Sequence, residues 1–182
     1  MTNFLEIRNI FFSGDYGYAY DVDTVQEITF FVNNGYLLFE RVVIGKKQDY
    51  LVLLSKRITT KDSCDADGGS KQHIALKIIA GKFIKNTYEK DIFYEHVFCG
   101  YYPDVKSTDS SIIVECGLTN NPEKIFAYFK GGASEVIQVP YPYDEDTEII
   151  GYKFTAAENF REFLEFYEKE KLSNVKRFLP KR

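Results

Sequence analysis

A chain of 182 residues, 45% hydrophobic and 27% charged, can bury the core of one domain with room for a small appended unit. A formal net charge of −4 and a pI of about 5.3 argue against holding nucleic acid by bulk electrostatics; a bound cation could still meet phosphate, because metal ligands themselves make a chain acidic. The three cysteines have no CxxC or zinc-ligand spacing, no apolar run reaches membrane-spanning length, and the start lacks a signal-peptide pattern. We therefore expect a soluble, intracellular (cytoplasmic) protein with no membrane partner.

The first sixty residues read as a β-rich subdomain (1–60), an antiparallel meander of FLEIRNIFF, YGYAYDV, QEITFFV, YLLFERVVI and DYLVLLSKRI. The 14 Tyr and 16 Phe favour strands, and Asn34-Gly35 is a favoured hairpin turn. A polar, Gly-rich connection follows, TTKDSCDADGGS (59–70). Its aspartates miss the EF-hand spacing, so it reads as a solvated loop. Ser70 then caps a helix, SKQHIALKIIAGKFIKN, with a broad apolar face.

Beyond this helix we expect a strand over 91–100, a hairpin of two strands, a helix from Asn121-Pro122 to about Phe129, and a strand over 134–141. Residues 142–182 read as a linker and an amphipathic helix, with Phe160, Phe163, Leu164 and Tyr167 on one side. Helix, three strands, helix, strand is an α/β (α+β) order: a meander, then a crossover helix to a fourth strand. The core spans 68–141.

The hairpin carries the chemistry. With a two-residue tip at Asp109-Ser110, side-chain alternation sets Asp104 directly across from Glu115. Opposed carboxylates repel, so such a pair calls for a divalent cation. An odd loop or a bulge would separate them, and two solvent-facing acids would then carry no function.

Pro103-Asp104, followed by an apolar strand ending Glu115-Cys116-Gly117, resembles the PD-(D/E)xK nuclease superfamily. SKQHIALK (70–77) and Gly100-Tyr101-Tyr102-Pro103-Asp104 resemble a Ser-x-x-His-x-x-Leu-Lys helix and the G-x-x-PD strand that follows it in small nuclease-like families. The likeness covers roughly residues 68–141. It implies a restriction-endonuclease-like core and a Mg²⁺- or Mn²⁺-dependent endonuclease acting on DNA. Asp104, Glu115 and the Cys116 backbone carbonyl would hold the metal.

The lysine of the motif is replaced by Gly117. The cation must then come from elsewhere, from Lys124 in the next helix or, as second choice, from Lys77. Glu95 could be an outer ligand or an exposed strand residue. His73 could touch phosphate or water, or serve as a structural hydrogen-bonder. His96 and the Cys116 thiol receive no role. A nuclease-fold subunit that binds DNA or protein without cutting is the first rival. The second is an interaction module built on the N-terminal strands, which could also form a homodimer surface.

Overall fold

Residues 22–56, 69–117 and 123–178 are described by the structure, a computed structural model. Val25, Ile28 and Phe31 recur three residues apart and are buried, while Gln26 and Phe30 between them face outward. That spacing folds QEITFFV into helix α1 (Val22–Asn33), not a strand of a meander. Asn34-Gly35 accordingly ends a helix and makes no hairpin. Gly35 is left-handed (φ 75°), its N–H donates to the Val32 carbonyl and that of Tyr36 to Phe31, the paired bonds of a Schellman stop.

Among the described residues, strand β1 (Leu37–Lys46) is the one strand expected in this region that forms. DYLVLLSKRI supplies helix α2 (Lys47–Ser55), anchored by the buried Tyr50, so the expected antiparallel meander is overturned over the described residues. The two earlier expected strands up to residue 21, residues 62–68 of the DSCDADGG loop and Asn121-Pro122 lie outside the described residues.

Ser70 caps helix α3 (Lys71–Tyr88) as its position suggests, its hydroxyl accepting from the His73 N–H at 3.2 Å. The next strand, β2 (Ile92–Tyr94), is shorter than 91–100 because Glu95 turns left-handed at φ 45°. The chain then makes a tight reversal at Cys99-Gly100, where Phe98 and Tyr101 exchange backbone bonds of 2.8 and 3.0 Å. Strands β3 (Val105–Ser107) and β4 (Ile112–Cys116) complete the meander. Helix α4 (Glu123–Lys130) crosses to β5 (Glu135–Val139), which runs parallel to β4.

Strand β6 (Glu148–Ala156) corrects the reading of a linker here. It is inserted between β1 and β5, antiparallel to both. Helix α5 (Phe160–Phe178) closes the described chain.

The result is a mixed α/β fold: one six-stranded sheet, ordered β1-β6-β5-β4-β3-β2. One face packs α2 and α3 through Tyr50, Leu76, Ile79 and Ile84 against Val105, Val114 and Ile137. The other packs α1, α4 and α5 through Phe31, Phe129 and Phe160 against Ile113, Val136 and Phe154. Among the described residues no helix is long and apolar enough to cross a membrane.

Candidate active site

The hairpin register is the one the even loop requires. Val105 pairs with Val114 and Lys106 with Ile113, and the ladder ends there, with Asp104 just before its first pair. The tip explains why it does not slip. Asp109 Oδ1 accepts from the Ser111 N–H at 3.0 Å and from the Ser107 and Ser111 hydroxyls at 2.6 and 2.8 Å, and Lys90 lies 2.6 Å from Oδ2. Those contacts, Lys90 foremost, hold the Asp109 carboxyl well below the usual carboxylate range.

At the other end of the hairpin Asp104 bridges two elements. Its Oδ2 accepts the Cys116 N–H at 2.6 Å, and its Oδ1 lies 2.8 Å from His73 Nε2 in the first turn of α3. If Nε2–H donates to Asp104, Nδ1 is left to accept the Tyr141 hydroxyl, 3.4 Å away. Glu95, at its left-handed position, completes a trio: His73, Glu95 and Asp104 offer ligand atoms that all lie within 4.8 Å of one another. A non-glycine residue at positive φ is strained, and such strain persists where the surroundings hold it in place. Here the hold is Lys77, whose fully buried ammonium pairs with Glu95. Gly81, one turn further along α3, makes the approach possible, because a Cβ there would run into Ile92 and the Tyr94 hydroxyl.

Glu115 lies outside that trio. By strand alternation it shares a face with Ile113, toward α4, where the Tyr128 hydroxyl donates to Oε1 and Lys124 Nζ stands 3.4 and 3.3 Å from the two oxygens. Burial, and then the neighbouring Asp104 charge, raise the Glu115 pKa to about 7 against the pull of Lys124 and Tyr128. Burial and Glu115 in turn raise the Tyr128 pKa, so its hydroxyl stays a donor. Lys124 also stands 6.0 Å from the centre of the Tyr101 ring, itself edge-on to Tyr128.

The sequence-derived residues Asp104, Glu115, Lys124, Glu95, His73 and Lys77 thus meet at one end of the sheet, divided into two adjoining groups. Cys116 joins them through its N–H, which Asp104 receives. Tyr128 and Tyr141 were not anticipated. Tyr128 follows Lys124 by four residues, one helical turn, and that spacing was a readable signal. Tyr141 follows β5 in chain order and touches His73 only through the tertiary fold.

Position 117, where the resemblance implies a lysine, is suited to glycine by its backbone. It is left-handed (φ 76°), and a Cβ there would stand 2.8 Å from the Tyr141 ring. A lysine at 117 would therefore be strained and would displace Tyr141 from His73. Gly117→Lys is expected to lower stability by about 1–2 kcal/mol in urea unfolding, with no gain in any metal-dependent activity. A stable variant with raised activity would show that this position accepts the motif's lysine after all.

No protein-family model matches this sequence, and no curated protein or solved structure matches it.

Proposed function

We propose that the protein is a divalent-metal-dependent nuclease that hydrolyses phosphodiester bonds, with DNA the first substrate to test. The observation carrying this reading is the juxtaposition of the His73–Glu95–Asp104 trio with a buried glutamate poised near neutrality and paired with a lysine. The order of α3, three antiparallel strands, α4 and a parallel strand also agrees with the PD-(D/E)xK resemblance.

Two carboxylates and an imidazole suit Mn²⁺ at least as well as Mg²⁺, because nitrogen ligation favours the softer ion. Bound there, the ion would polarise a phosphate oxygen and make a neighbouring water more acidic. The protein's own groups divide the remaining work. Asp104 and Glu95 supply negative charge, with Lys77 fixing Glu95. His73 would ligate through Nε2 once that nitrogen gives up its proton, its Nδ1–H then donating to the Tyr141 oxygen. Glu115, with a pKa near working pH, takes the proton of the attacking water as its oxygen bonds to phosphorus and the bond to the leaving strand's oxygen breaks, that oxygen departing as an alkoxide and taking a proton from solvent. Lys124 faces the developing phosphate charge in place of the lysine that Gly117 does not supply. This differs from what the resemblance implies: Glu115 acts first as a base, and the metal is held mainly by the trio.

Calorimetric titration of Mn²⁺ into wild type, Asp104→Ala and Glu115→Gln tests the reading, together with cleavage of supercoiled and linear DNA. Micromolar-range binding is expected in wild type and Glu115→Gln and lost in Asp104→Ala, with cleavage lost in both variants. Cleavage that persists in Asp104→Ala would overturn the assignment. Metal binding without cleavage by wild type would favour the second reading, a nuclease-fold subunit that binds DNA or protein without cutting. Gly117 in the motif's lysine position is the observation on its side.

A further inference from the structure

Helices α1, α4 and α5 enclose a cleft of about 490 Å³ beside the Glu115–Lys124 group, with Tyr101 as the wall nearest that group. Phe31, fully buried, packs beneath it. The Phe126 and Tyr167 rings also line it, each inclined 77° to the Phe31 plane, with centroids 5.6 and 5.3 Å from the Phe31 centroid. The half-buried Tyr101, Phe126 and Tyr167 give the cleft an aromatic lining that suits a flat ring. The rim is polar but self-compensated: Lys130 pairs with Glu168 at 2.7 Å, and Lys171 pairs with Glu27. With Glu123 added, the lining carries three glutamates against two lysines, so the cleft disfavours a phosphate yet offers donors and acceptors to a neutral ring edge. The reaction group lies one ring away, since Tyr101 meets Tyr128 edge-on at 6.0 Å and carries Lys124 over its ring at 6.0 Å.

We infer that this cleft receives an unpaired nucleobase of the strand whose phosphate lies at Lys124. A base held there by the aromatic lining and by its polar edge would place an adjoining phosphate toward Lys124, one ring away. That favours single-stranded, frayed or bulged nucleic acid over a fully paired duplex. The inference rests on the nuclease reading and adds the form of the substrate.

The test is a substitution that fills the cleft without touching the reaction groups. Ala127 lines it and is half-buried. Ala127→Phe should weaken binding of a fluorescein-labelled single-stranded oligonucleotide roughly tenfold, measured by anisotropy with Ca²⁺ in place of Mn²⁺. Ala127→Ser, which leaves the space open, should bind as wild type does. Mn²⁺ titration and thermal melting verify that both variants keep the trio and the fold. Wild type should also bind the single strand more tightly than a blunt duplex of the same sequence. The inference is overturned if Ala127→Phe binds the single strand as wild type does, or if wild type prefers the blunt duplex or binds neither. Its failure is distinct from that of the nuclease reading: DNA cleavage by wild type with an unaffected Ala127→Phe removes the cleft alone. Cleft-dependent binding with no cleavage removes the catalysis alone.

Discussion

At pH 8 and in EDTA, Glu115→Gln is expected to be more stable than the wild type, by about 1–3 kcal/mol in urea unfolding, with the difference vanishing by pH 4.5. The folded pKa of Glu115 is about 7, against an ordinary value of 4.5. Between those values the native state binds more protons than the unfolded chain, so wild-type stability falls as pH rises through the window. Below it the carboxyl is protonated in both states and resembles the amide. Above it the buried charge imposes its full penalty. Lys124 moderates the gain, because glutamine leaves it without a carboxylate at 3.3 Å. Unfolding curves at four pH values in that window check this, and a difference independent of pH would show that Glu115 is ordinarily ionised in the fold.

The same substitution should lower DNA cleavage by roughly 10²-fold or more while leaving the trio to bind Mn²⁺. A group that costs stability where it sits, and whose neutral analogue is more stable but inactive, is placed for chemistry. Loss of Mn²⁺ binding in Glu115→Gln would instead return Glu115 to the metal's ligands, the role the superfamily resemblance implies.

The central α-β-β-β-α-β segment was legible because its signals are local. Ser70 is a helix cap, Asp109-Ser110 a turn with its own hydrogen bonds, and Gly131-Gly132 follows the last turn of α4. The hairpin register, with Val105 across from Val114, followed from the turn alone. The flanking elements were less legible. QEITFFV has the β-branched and aromatic content of a strand, and only the three-residue spacing of Val25, Ile28 and Phe31, read across its start, marks the helix. In EIIGYKFTA the strand character is broken by Gly151 and Lys153. Yet Gly151 is where Ile44 and Ile137 approach so closely that a Cβ would meet them at 2.8 and 2.9 Å, and Lys153 pairs with Glu40 at 3.0 Å. Both exceptions are tertiary in origin. So is the union of His73 with Asp104 and of Lys77 with Glu95, which required α3 to lie across the meander in a way that no sequence spacing encodes.

Lys124→Ala carries the second large effect, and it separates a cation that acts on substrate from one that only holds the fold. Lys77, the other sequence candidate, is fully buried against Glu95 and would have to abandon it to meet a phosphate; Lys124 is partly exposed, with side-chain accessibility of 24%. Removing Lys124 should cut cleavage by about 10²-fold. Mn²⁺ affinity should be unchanged or higher, because one positive charge near the trio is gone. The acidic limb of the pH–rate profile should move upward as well, since Lys124 is one of the groups that lower the Glu115 pKa, and without it the base ionises only at higher pH. The deficit should therefore be larger at pH 7 than at pH 9, with Lys124→Arg recovering part of it. Were Lys124 merely structural, rate, Mn²⁺ affinity and melting temperature would fall together with no change in the shape of the pH profile. Metal affinity and the pH limb moving as expected, with only the rate lost, would mark Lys124 as the cation that Gly117 does not provide.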